Sequence, residues 1–367
     1  MRHQVSSHIA ESSCPWKLPP ELVRRIVFFI HDAFDLLAYI DAFYPAHAFL
    51  GHAFDHLWHL QQLMSPQHLW PHLVLADAAS ATNAHVQGMM KLYSQVEIRN
   101  TFDWAWLRAS MNPRTNLRVK CIPSPTDLER LHVSFPVWLD EMARMRVEYL
   151  RWHTTESMMH LVVLLPRLPH LASLDIVINK RTDDAAALDH ILAFLSDTIS
   201  PVLNLNLHAD LTAVHLVHLT TWLAIHPVHS FGFTWPADWQ DHEPSLQWAF
   251  FLAITKASTL THLRLASFAL QEDAVAPFPP LPRSLETLEI IHGSLNPLEA
   301  LVVASHVVAS NIKTLRFQCC AVYTHGLATL LDALGHSHVT SLRFENCCFG
   351  ADEVHILAQY LPHTTLA

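Results

Sequence analysis

The sequence predicts an α/β solenoid, a chain of strand–helix units stacked on one another. The first observation is an internal repeat: residues 312–322, IKTLRFQCCAV, return 27 positions later as residues 339–349, VTSLRFENCCF. The second is that each copy is followed by apolar residues at helical spacing. Self-similarity at a period of about 20–50 residues is typical of stacked units that share one continuous core. We therefore expect strands and helices to alternate along the chain.

The strand of this repeat is apolar at its first, fourth and sixth positions, and the same pattern occurs upstream. Nine matches are present, with fourth positions at Leu131, Leu150, Leu174, Leu205, Phe231, Leu263, Leu288, Leu315 and Leu342, a period of about 26 residues. The first match predicts a strand over residues 128–133. Two weaker matches, at residues 70–75 and 93–98, extend the array towards the N-terminus. Helices are predicted over residues 183–195, 211–225, 245–254 and 298–308.

The repeat resembles the leucine-rich repeat of the ribonuclease-inhibitor kind, in its length and in its ninth position. Cys320 and Cys347 occupy that position, which is Asn or Cys in the leucine-rich-repeat consensus, and Asn179 occupies it in an earlier unit. The resemblance implies a horseshoe in which this small side chain turns inward. Since adjacent cysteines do not match the C-x₂-C spacing of zinc sites, we predict a structural role for both thiols rather than a metal site or a disulfide.

Residues 15–63 are predicted to form a helical region ahead of the repeat domain, residues 66–367. Pro20 is favourable just inside a helix start, because its missing N–H would have no partner there. Leu22, Ile26 and Phe29 recur at i, i+4 and i+7, so they share one helical face. Two short amphipathic helices are expected before residue 45.

This helical region resembles the F-box, a motif that combines Leu-Pro, a helical Leu and Ile, and Asp-Leu-Leu. The resemblance implies binding to the Skp-type adaptor of cullin-based ubiquitin ligases, with the repeats holding a protein substrate. The residues implied in adaptor binding are Leu18, Pro19, Leu22, Ile26, Leu36 and Leu37. The alternative is a helical cap that only shields the first repeat.

Composition argues against several classes of function. The formal net charge is −10 and no cluster of lysine or arginine is present, which argues against a nucleic-acid partner. With seven glycines, no G-x-G pair and no G-x-S-x-G motif, the chain lacks the usual phosphate cradle and nucleophile elbow. We predict a non-enzymatic interaction adaptor without a cofactor. The alternative is a leucine-rich-repeat scaffold or inhibitor with no ubiquitin link.

Apolar stretches long enough for targeting or membrane insertion are absent from the sequence. Residues 1–13 lack the apolar run of a secretory signal, and no stretch of about 18 apolar residues is available to span a bilayer. We expect an intracellular protein, cytoplasmic or nuclear, with no membrane partner.

Histidine is unusually frequent, with 29 residues against 23 lysines and arginines. His52, His56 and His59 recur at i, i+4 and i+7 beside Asp55, so one helical face offers three zinc ligands. Such spacing arises by chance in a chain this rich in histidine. We interpret these residues as structural histidines and predict no metal site, with zinc binding as the alternative.

The outward positions of the later strands carry the candidate partner-binding residues. Side chains alternate along a strand, so the fifth and seventh positions of each unit point away from the core. There the sequence places arginines, carboxylates and one amide: Arg264, Glu289, Arg316, Gln318, Arg343 and Glu345. They form either a solvated face with cross-strand ion pairs or a partner-binding groove. Trp235 and Trp239 are either anchors at the rim of that groove or buried loop-packing residues.

The repeat period also bears on the last unit. One more step of 27 residues places Leu366 at the first position of a further strand. A terminal unit exposes apolar surface and a strand edge unless something covers it. We expect self-association through the edge of this last repeat, or a chain that is a shortened relative of a longer array.

Overall fold

The computed structural model describes residues 19–43, 50–153, 158–178, 184–197, 200–236, 239, 242–268 and 280–360. The chain divides into two compact units, one of residues 1–97 with 106–115, the other of residues 98–105 with 116–367. The first unit therefore extends well past residue 63, where the predicted helical region ends. None of the helices in the described part combines the length and the apolar character needed to cross a membrane.

The chain begins with helices and then alternates them with short strands. The elements are α1 (Pro20–Val27), α2 (Ala33–Asp41), α3 (His52–Leu60), α4 (Pro66–Leu69), β1 (Leu73–Leu75), a 3₁₀ turn (Ala78–Thr82), α5 (Ala84–Met89), a second 3₁₀ turn (Met90–Leu92), β2 (Gln95–Ile98) and α6 (Trp104–Ser110). Both weaker strand predictions are confirmed, since β1 and β2 fall within residues 70–75 and 93–98.

Helices α1 and α2 form as their end residues predict. Proline occupies the first turn of α1, and the Asp32 carboxylate caps α2 by accepting hydrogen bonds from the backbone N–H groups of Phe34 and Asp35 at 2.8 and 3.0 Å. The side chains of Val23 and Val27 are buried in the core, so they form the inner face of α1. The two short amphipathic helices expected before residue 45 are therefore present.

The second unit consists of strand–helix repeats. Its elements are β3 (Asn116–Val119), α7 (Pro125–Leu131), α8 (Phe135–Met142), β4 (Val147–Trp152), α9 (Met159–Leu164), β5 (Ser173–Val177), α10 (Asp184–Leu195), β6 (Asn204–His208), α11 (Ala213–Ile225), β7 (Ser230–Thr234), α12 (Pro244–Lys256), β8 (His262–Ala266), β9 (Thr287–Ile291), β10 (Ser294–Leu295), α13 (Pro297–Val308), β11 (Thr314–Gln318), β12 (Ala321–Val322), α14 (Thr324–Leu334), β13 (Ser341–Glu345) and α15 (Ala351–Tyr360).

The strands of this unit lie side by side in chain order, from β3 to β9 and then β11 and β13, while β10 and β12 form a separate small pair. All the recorded pairs are parallel, and equivalent repeat positions are in register: Leu174 faces Leu205, and Leu315 faces Leu342. Helices of successive repeats pack on one another, α10 on α11 and α13 on α14. An α/β fold of stacked repeats is therefore confirmed.

The core of the second unit is built from the fourth and sixth positions of each strand. Phe231 and Phe233 of β7 are fully buried and stack with ring centroids 5.3 Å apart. Trp222 of α11 and Phe250 of α12 contact the Phe231 ring at 5.7 and 6.1 Å. Each buried side chain of this size contributes roughly 1.5–3 kcal/mol of hydrophobic stabilisation, so the repeating pattern fixes which face of the sheet meets the helices.

The strand predicted over residues 128–133 is wrong, because helix α7 ends there at Leu131. Ser124 and Asp127 form a capping box, and Pro125 occupies the first turn of the helix. Two leucines three residues apart fit one helical face as well as a strand pattern, so the helix-start residues decide between them. The strand of this repeat is β3 instead, with Leu117 and Val119 buried.

A left-handed residue follows each of the last strands at the eighth repeat position. Ser267, His292, Cys319 and Asn346 have φ between 51° and 54°. The first three each donate the backbone N–H to a carbonyl at the end of the next strand, with N···O distances of 2.7, 3.0 and 2.8 Å. Ile178 and Trp235 make the same forward hydrogen bond at 2.9 and 2.7 Å. This bond links each repeat to its successor.

The cysteines at the ninth position also connect repeats. The Cys320 thiol donates to the Ile290 carbonyl oxygen at 3.3 Å, and the Cys347 thiol donates to that of Phe317 at 3.5 Å. Burial raises the pKa of Cys320 to about 11, so this thiol remains a protonated donor. All the cysteines in the described ranges are free, which fits the predicted structural role. Asn179 lies outside those ranges.

The last described repeat is less buried than those before it. Leu342 and Phe344 of β13 are half-buried, whereas the equivalent Leu315 and Phe317 of β11 are fully buried. No residue of α15 is buried. Leu366 lies outside the described residues, and self-association through this edge stays a prediction.

Candidate functional site

The first candidate site is the outer face of α1. Leu22, Ile26 and Phe29 are 46%, 37% and 77% exposed, although all three are large apolar side chains. They follow one another at i, i+4 and i+7: Leu22 and Ile26 lie in α1 beside the buried Val23 and Val27, and Phe29 lies in the turn just after the helix end. We name these three residues the α1 apolar surface. Exposed apolar residues grouped on one helix face are typical of a protein contact.

The structure separates the six residues that the F-box resemblance singled out. Leu22 and Ile26 belong to the α1 apolar surface, and Pro19 is exposed just before it. Leu36 and Leu37 of α2 are buried instead, where they pack in the core of the first unit. Leu18 lies outside the described residues. Only the part of the motif on and beside α1 is therefore accessible to a partner.

The second candidate site is the outward face of the parallel sheet in the second unit, which we name the polar sheet face. Residues at the fifth repeat position are aligned across the strands in one row, and this row is almost entirely polar. From β4 to β13 its members are Arg151, Asp175, Asn206, Gly232, Arg264, Glu289, Arg316 and Arg343.

Ion pairs connect the later part of this row. Arg264 Nε lies 3.5 Å from Glu289 Oε2, and Arg316 Nη1 lies 3.6 Å from Glu289 Oε1. Arg316 Nε also lies 3.6 Å from Glu345 Oε1. Within the described residues Arg343 has no ion pair, and Gln318 is half-buried beside Arg316 in the same strand. Cross-strand ion pairs, the first of the two interpretations, are therefore present.

These ion pairs are long, and they leave hydrogen-bond donors unused. The Nε atoms of Arg264 and Arg316 are buried and have no hydrogen-bond partner among the described residues. Both guanidinium groups are partly exposed, so an incoming acceptor can form shorter hydrogen bonds with them than the existing ion pairs provide. The second interpretation, a partner-binding groove, is compatible with the same geometry.

The earlier part of the row is held by Asp175. Its carboxylate accepts hydrogen bonds from the Tyr149 hydroxyl at 3.2 Å and from Asn206 Nδ2 at 3.0 Å, and Arg151 Nε lies 3.6 Å away. Burial, followed by the negative charge of Asp175, raises the pKa of Tyr149. The Arg118 guanidinium lies 4.6 Å above the Tyr149 ring. Sequence reasoning missed these residues, although they occupy the third and fifth positions of their strands.

A cavity of about 340 Å³ lies on the polar sheet face, with Arg118 and Glu289 among its lining residues. Gly232 lies on its floor: a Cβ atom at this position would be 2.4 Å from Asn206 Oδ1 and 3.1 Å from Arg264 Cβ. Asn206 Oδ1 is buried without a hydrogen-bond partner among the described residues. The glycine therefore permits a close approach of two polar side chains from the neighbouring strands.

Trp235 and Trp239 do not line this cavity. Both are buried, with ring centroids 4.9 Å apart, and the Trp235 ring contacts Phe233 at 6.1 Å and Phe268 at 5.1 Å. The interpretation as rim anchors is wrong, because the loop folds these aromatic rings into the core beside β7. The loop-packing interpretation is correct.

The predicted histidine face on α3 contacts α5. His56 Nδ1 lies 3.0 Å from His85 Nδ1, and the rings of His59 and His85 have centroids 4.7 Å apart. His59 Nε2 lies 3.9 Å from an Asp55 oxygen. Over the ranges that the structure describes, no three His, Cys, Asp or Glu side chains are arranged to hold a metal ion. These histidines serve as packing and hydrogen-bonding groups between two helices.

Acid is expected to destabilise the protein. Burial lowers the pKa values of His56, His208, His215 and His306. The unfolded chain therefore binds more protons than the fold between about pH 6.5 and these lowered values, and the free energy of unfolding decreases as the pH falls through that window. We expect a clearly lower urea midpoint at about pH 5.5 than at about pH 7.5.

Two variants separate this effect from a general effect of charge. His306→Gln removes a buried titrating group in α13, so it should reduce the difference between the two urea midpoints. His336→Gln changes an exposed histidine and should leave the difference unchanged. Equal midpoints for the unmodified chain at both pH values would contradict the explanation.

No family model matches the chain, and no curated protein matches it.

Proposed function

We propose that the protein is a non-enzymatic interaction adaptor of the F-box-like kind. In this proposal the α1 apolar surface binds a Skp-type adaptor of a cullin-based ubiquitin ligase. The repeats of the second unit then hold a protein substrate on the polar sheet face. The observation that carries the proposal is that Leu22 and Ile26, two residues of the motif, are exposed apolar side chains on one helix face.

The remaining motif residues have a supporting role in this proposal. Leu36 and Leu37 are buried, so they fix α2 against the core rather than contact the adaptor. Phe29 is the most exposed of the three residues on the α1 apolar surface and extends the contact beyond the end of the helix. Full burial of such a side chain in an interface contributes roughly 1.5–3 kcal/mol, so these residues would be central contacts of a larger interface.

We also propose that the second unit is a leucine-rich-repeat horseshoe. Three features support this assignment: strands pair in parallel and in register, the period is 27 residues in the last two units, and thiol donors at the ninth position bond to the preceding strand. In such a fold the sheet forms the inner, concave surface, and extended concave surfaces are the usual binding sites of repeat proteins.

Co-purification with a Skp-type adaptor tests the first proposal. The double variant Leu22→Asp with Ile26→Asp is expected to weaken the complex at least about 100-fold, since it places two charges in an apolar contact. The fold should be retained because both side chains are exposed. The matched control is Leu301→Asp with Val308→Asp, which introduces the same charges at exposed apolar positions of α13.

Two outcomes count against the F-box-like assignment. One is a complex that survives the α1 double variant with unchanged affinity. The other is the lack of any complex at micromolar concentrations of both proteins. In the second case the alternative function applies, which is a leucine-rich-repeat scaffold or inhibitor without a ubiquitin link. The cavity and ion pairs of the polar sheet face favour that role, since they are formed within the second unit alone.

A further inference from the structure

We propose that the polar sheet face binds an extended acidic segment of a protein, with one carboxylate over Arg264 and a second between Arg316 and Arg343. The inference rests on the proposed function, in which the repeats hold a protein. It adds the chemistry of the segment that they recognise.

The charge balance of this face favours an acidic partner. At the third, fifth and seventh positions of strands β4 to β13 the described side chains that carry a formal charge are arginines or carboxylates: Arg151, Asp175, Arg264, Glu289, Arg316, Arg343 and Glu345. Four positive and three negative groups leave these positions with a charge of +1, although the whole chain carries −10. Arginine presents a planar fork of donors that matches a carboxylate.

The hydrogen-bond geometry points to the same ligand. Glu289 is shared between Arg264 and Arg316 at 3.5 and 3.6 Å, and Glu345 lies 3.6 Å from Arg316 Nε, all longer than an ordinary hydrogen bond. The Nε donors of both arginines therefore make ion pairs but no hydrogen bond within the described part of the chain. Additional carboxylates would supply acceptors to donors that the fold has already oriented and partly desolvated.

The strand spacing determines how far apart the two carboxylates lie. Neighbouring strands are about 4.8 Å apart, and Arg264 is two strands from Arg316, which is one strand from Arg343. The distance from Arg264 to the midpoint of the other two is therefore about 12 Å. An extended chain advances about 3.3 Å per residue, so carboxylates four residues apart fit this distance. The 340 Å³ cavity beside Arg264 leaves room for side chains at one end of the segment.

A phosphoserine peptide distinguishes a carboxylate ligand from a phosphate ligand. Asp175, Glu289 and Glu345 lie in or beside the same row as the arginines, and each repels an added anion. A phosphorylated side chain carries a charge of about −1.5 to −2 at neutral pH, so both its repulsion from these carboxylates and its attraction to the arginines are roughly twice those of a carboxylate. A peptide in which phosphoserine replaces each glutamate therefore tests whether the face recognises a carboxylate or the larger negative charge of a phosphate group.

The test uses the full-length chain and a fluorescein-labelled nonapeptide, Gly-Ser-Glu-Thr-Val-Thr-Glu-Ser-Gly, in a fluorescence anisotropy titration. We expect a dissociation constant below about 1 mM, and we expect this constant to increase as salt is added. The peptide with glutamine in place of both glutamates should bind at least about tenfold more weakly, because it keeps the shape and loses the charge. Equal affinity for the two peptides would overturn the proposal. So would a lack of binding of the glutamate peptide at protein concentrations up to about 1 mM.

Variants of the chain locate the binding. Arg343 makes no ion pair among the described residues, so Arg343→Gln breaks none, whereas Arg264→Gln breaks the ion pair with Glu289. The double variant should bind the glutamate peptide at least about tenfold more weakly. Arg283→Gln removes an exposed arginine outside the row and should have no effect. An unchanged melting temperature for each variant separates lost contacts from lost folding. Full affinity in the double variant, or tighter binding of the phosphoserine peptide, counts against carboxylate recognition at these positions.

The peptide titration contains no adaptor protein, so it is independent of the α1 apolar surface. Peptide binding without adaptor binding would leave the acidic-segment site in place and remove the ubiquitin link. Adaptor binding without peptide binding would support the ubiquitin link and rule out the acidic-segment site.

Discussion

Gly326→Ala is expected to destabilise the second unit by about 3 kcal/mol, a large loss for one methyl group. Gly326 is buried in the first turn of α14, and a Cβ atom there would lie 2.0 Å from the Leu295 carbonyl oxygen and 3.0 Å from the Asn296 carbonyl carbon. These are backbone atoms, so no side-chain rotation can relieve the clash. The helix would have to move away from β10.

Such a movement is costly because the backbone beneath α14 is held on several sides. Leu295 is fully buried and pairs with Val322, and the Asn296 side chain caps α13 by accepting a hydrogen bond from the Glu299 N–H at 2.9 Å. Urea unfolding followed by circular dichroism measures the loss. Gly335→Ala is the matched control, since its Cβ would meet only the Asp332 carbonyl oxygen at an ordinary 3.4 Å. Similar effects of the two substitutions would disprove the close-contact explanation.

Gly232→Val is expected to block the cavity on the polar sheet face and to lower stability by about 2 kcal/mol. The new side chain must displace Asn206, whose amide donates to Asp175 and contacts His208 Nε2 at 3.1 Å. It also crowds the Cβ atom of Arg264, which is 3.1 Å from the position of the added Cβ. The glutamate nonapeptide should then bind at least about tenfold more weakly.

The control for this substitution is Ser341→Val in β13, which places the same side chain at an outward position away from the cavity. Its stability and peptide affinity should stay close to those of the unmodified chain. Binding that survives Gly232→Val would show that the peptide does not use the cavity, and the site would then be limited to the later arginines.

The stacked repeat could be predicted because one physical cause produces the whole pattern. The strands from β4 to β9 and β11 bury their fourth and sixth side chains, so Leu174, Leu205 and Leu315 recur at the same position and reveal the unit. The prediction failed at residues 128–133, where leucines three apart satisfy either a strand or a helix. There the local capping box at Ser124 outweighs the repeat pattern.

The candidate sites were less accessible to sequence reasoning. The charged row was visible from Arg264 onward, but the cavity depends on three strands lying in register, with Asn206, Gly232 and Arg264 side by side. The spacing of residues within one segment of the sequence does not indicate which residues of other strands will lie beside it. In the helical region, the exposure of Leu22 and the burial of Leu36 could not be distinguished either, because both are apolar residues at helical spacing. Which helix face meets the core depends on tertiary packing.

The left-handed residues that close the later strands give the array a direction. A left-handed conformation costs roughly 1–2 kcal/mol at a residue with a side chain, and the N–H of Ser267, His292 or Cys319 offsets that cost only by bonding to the following strand. The hydrogen bond of each left-handed residue is therefore completed by the successor of its repeat. Local opening at one repeat should loosen the turn on its N-terminal side, so that fluctuations spread backwards along the chain.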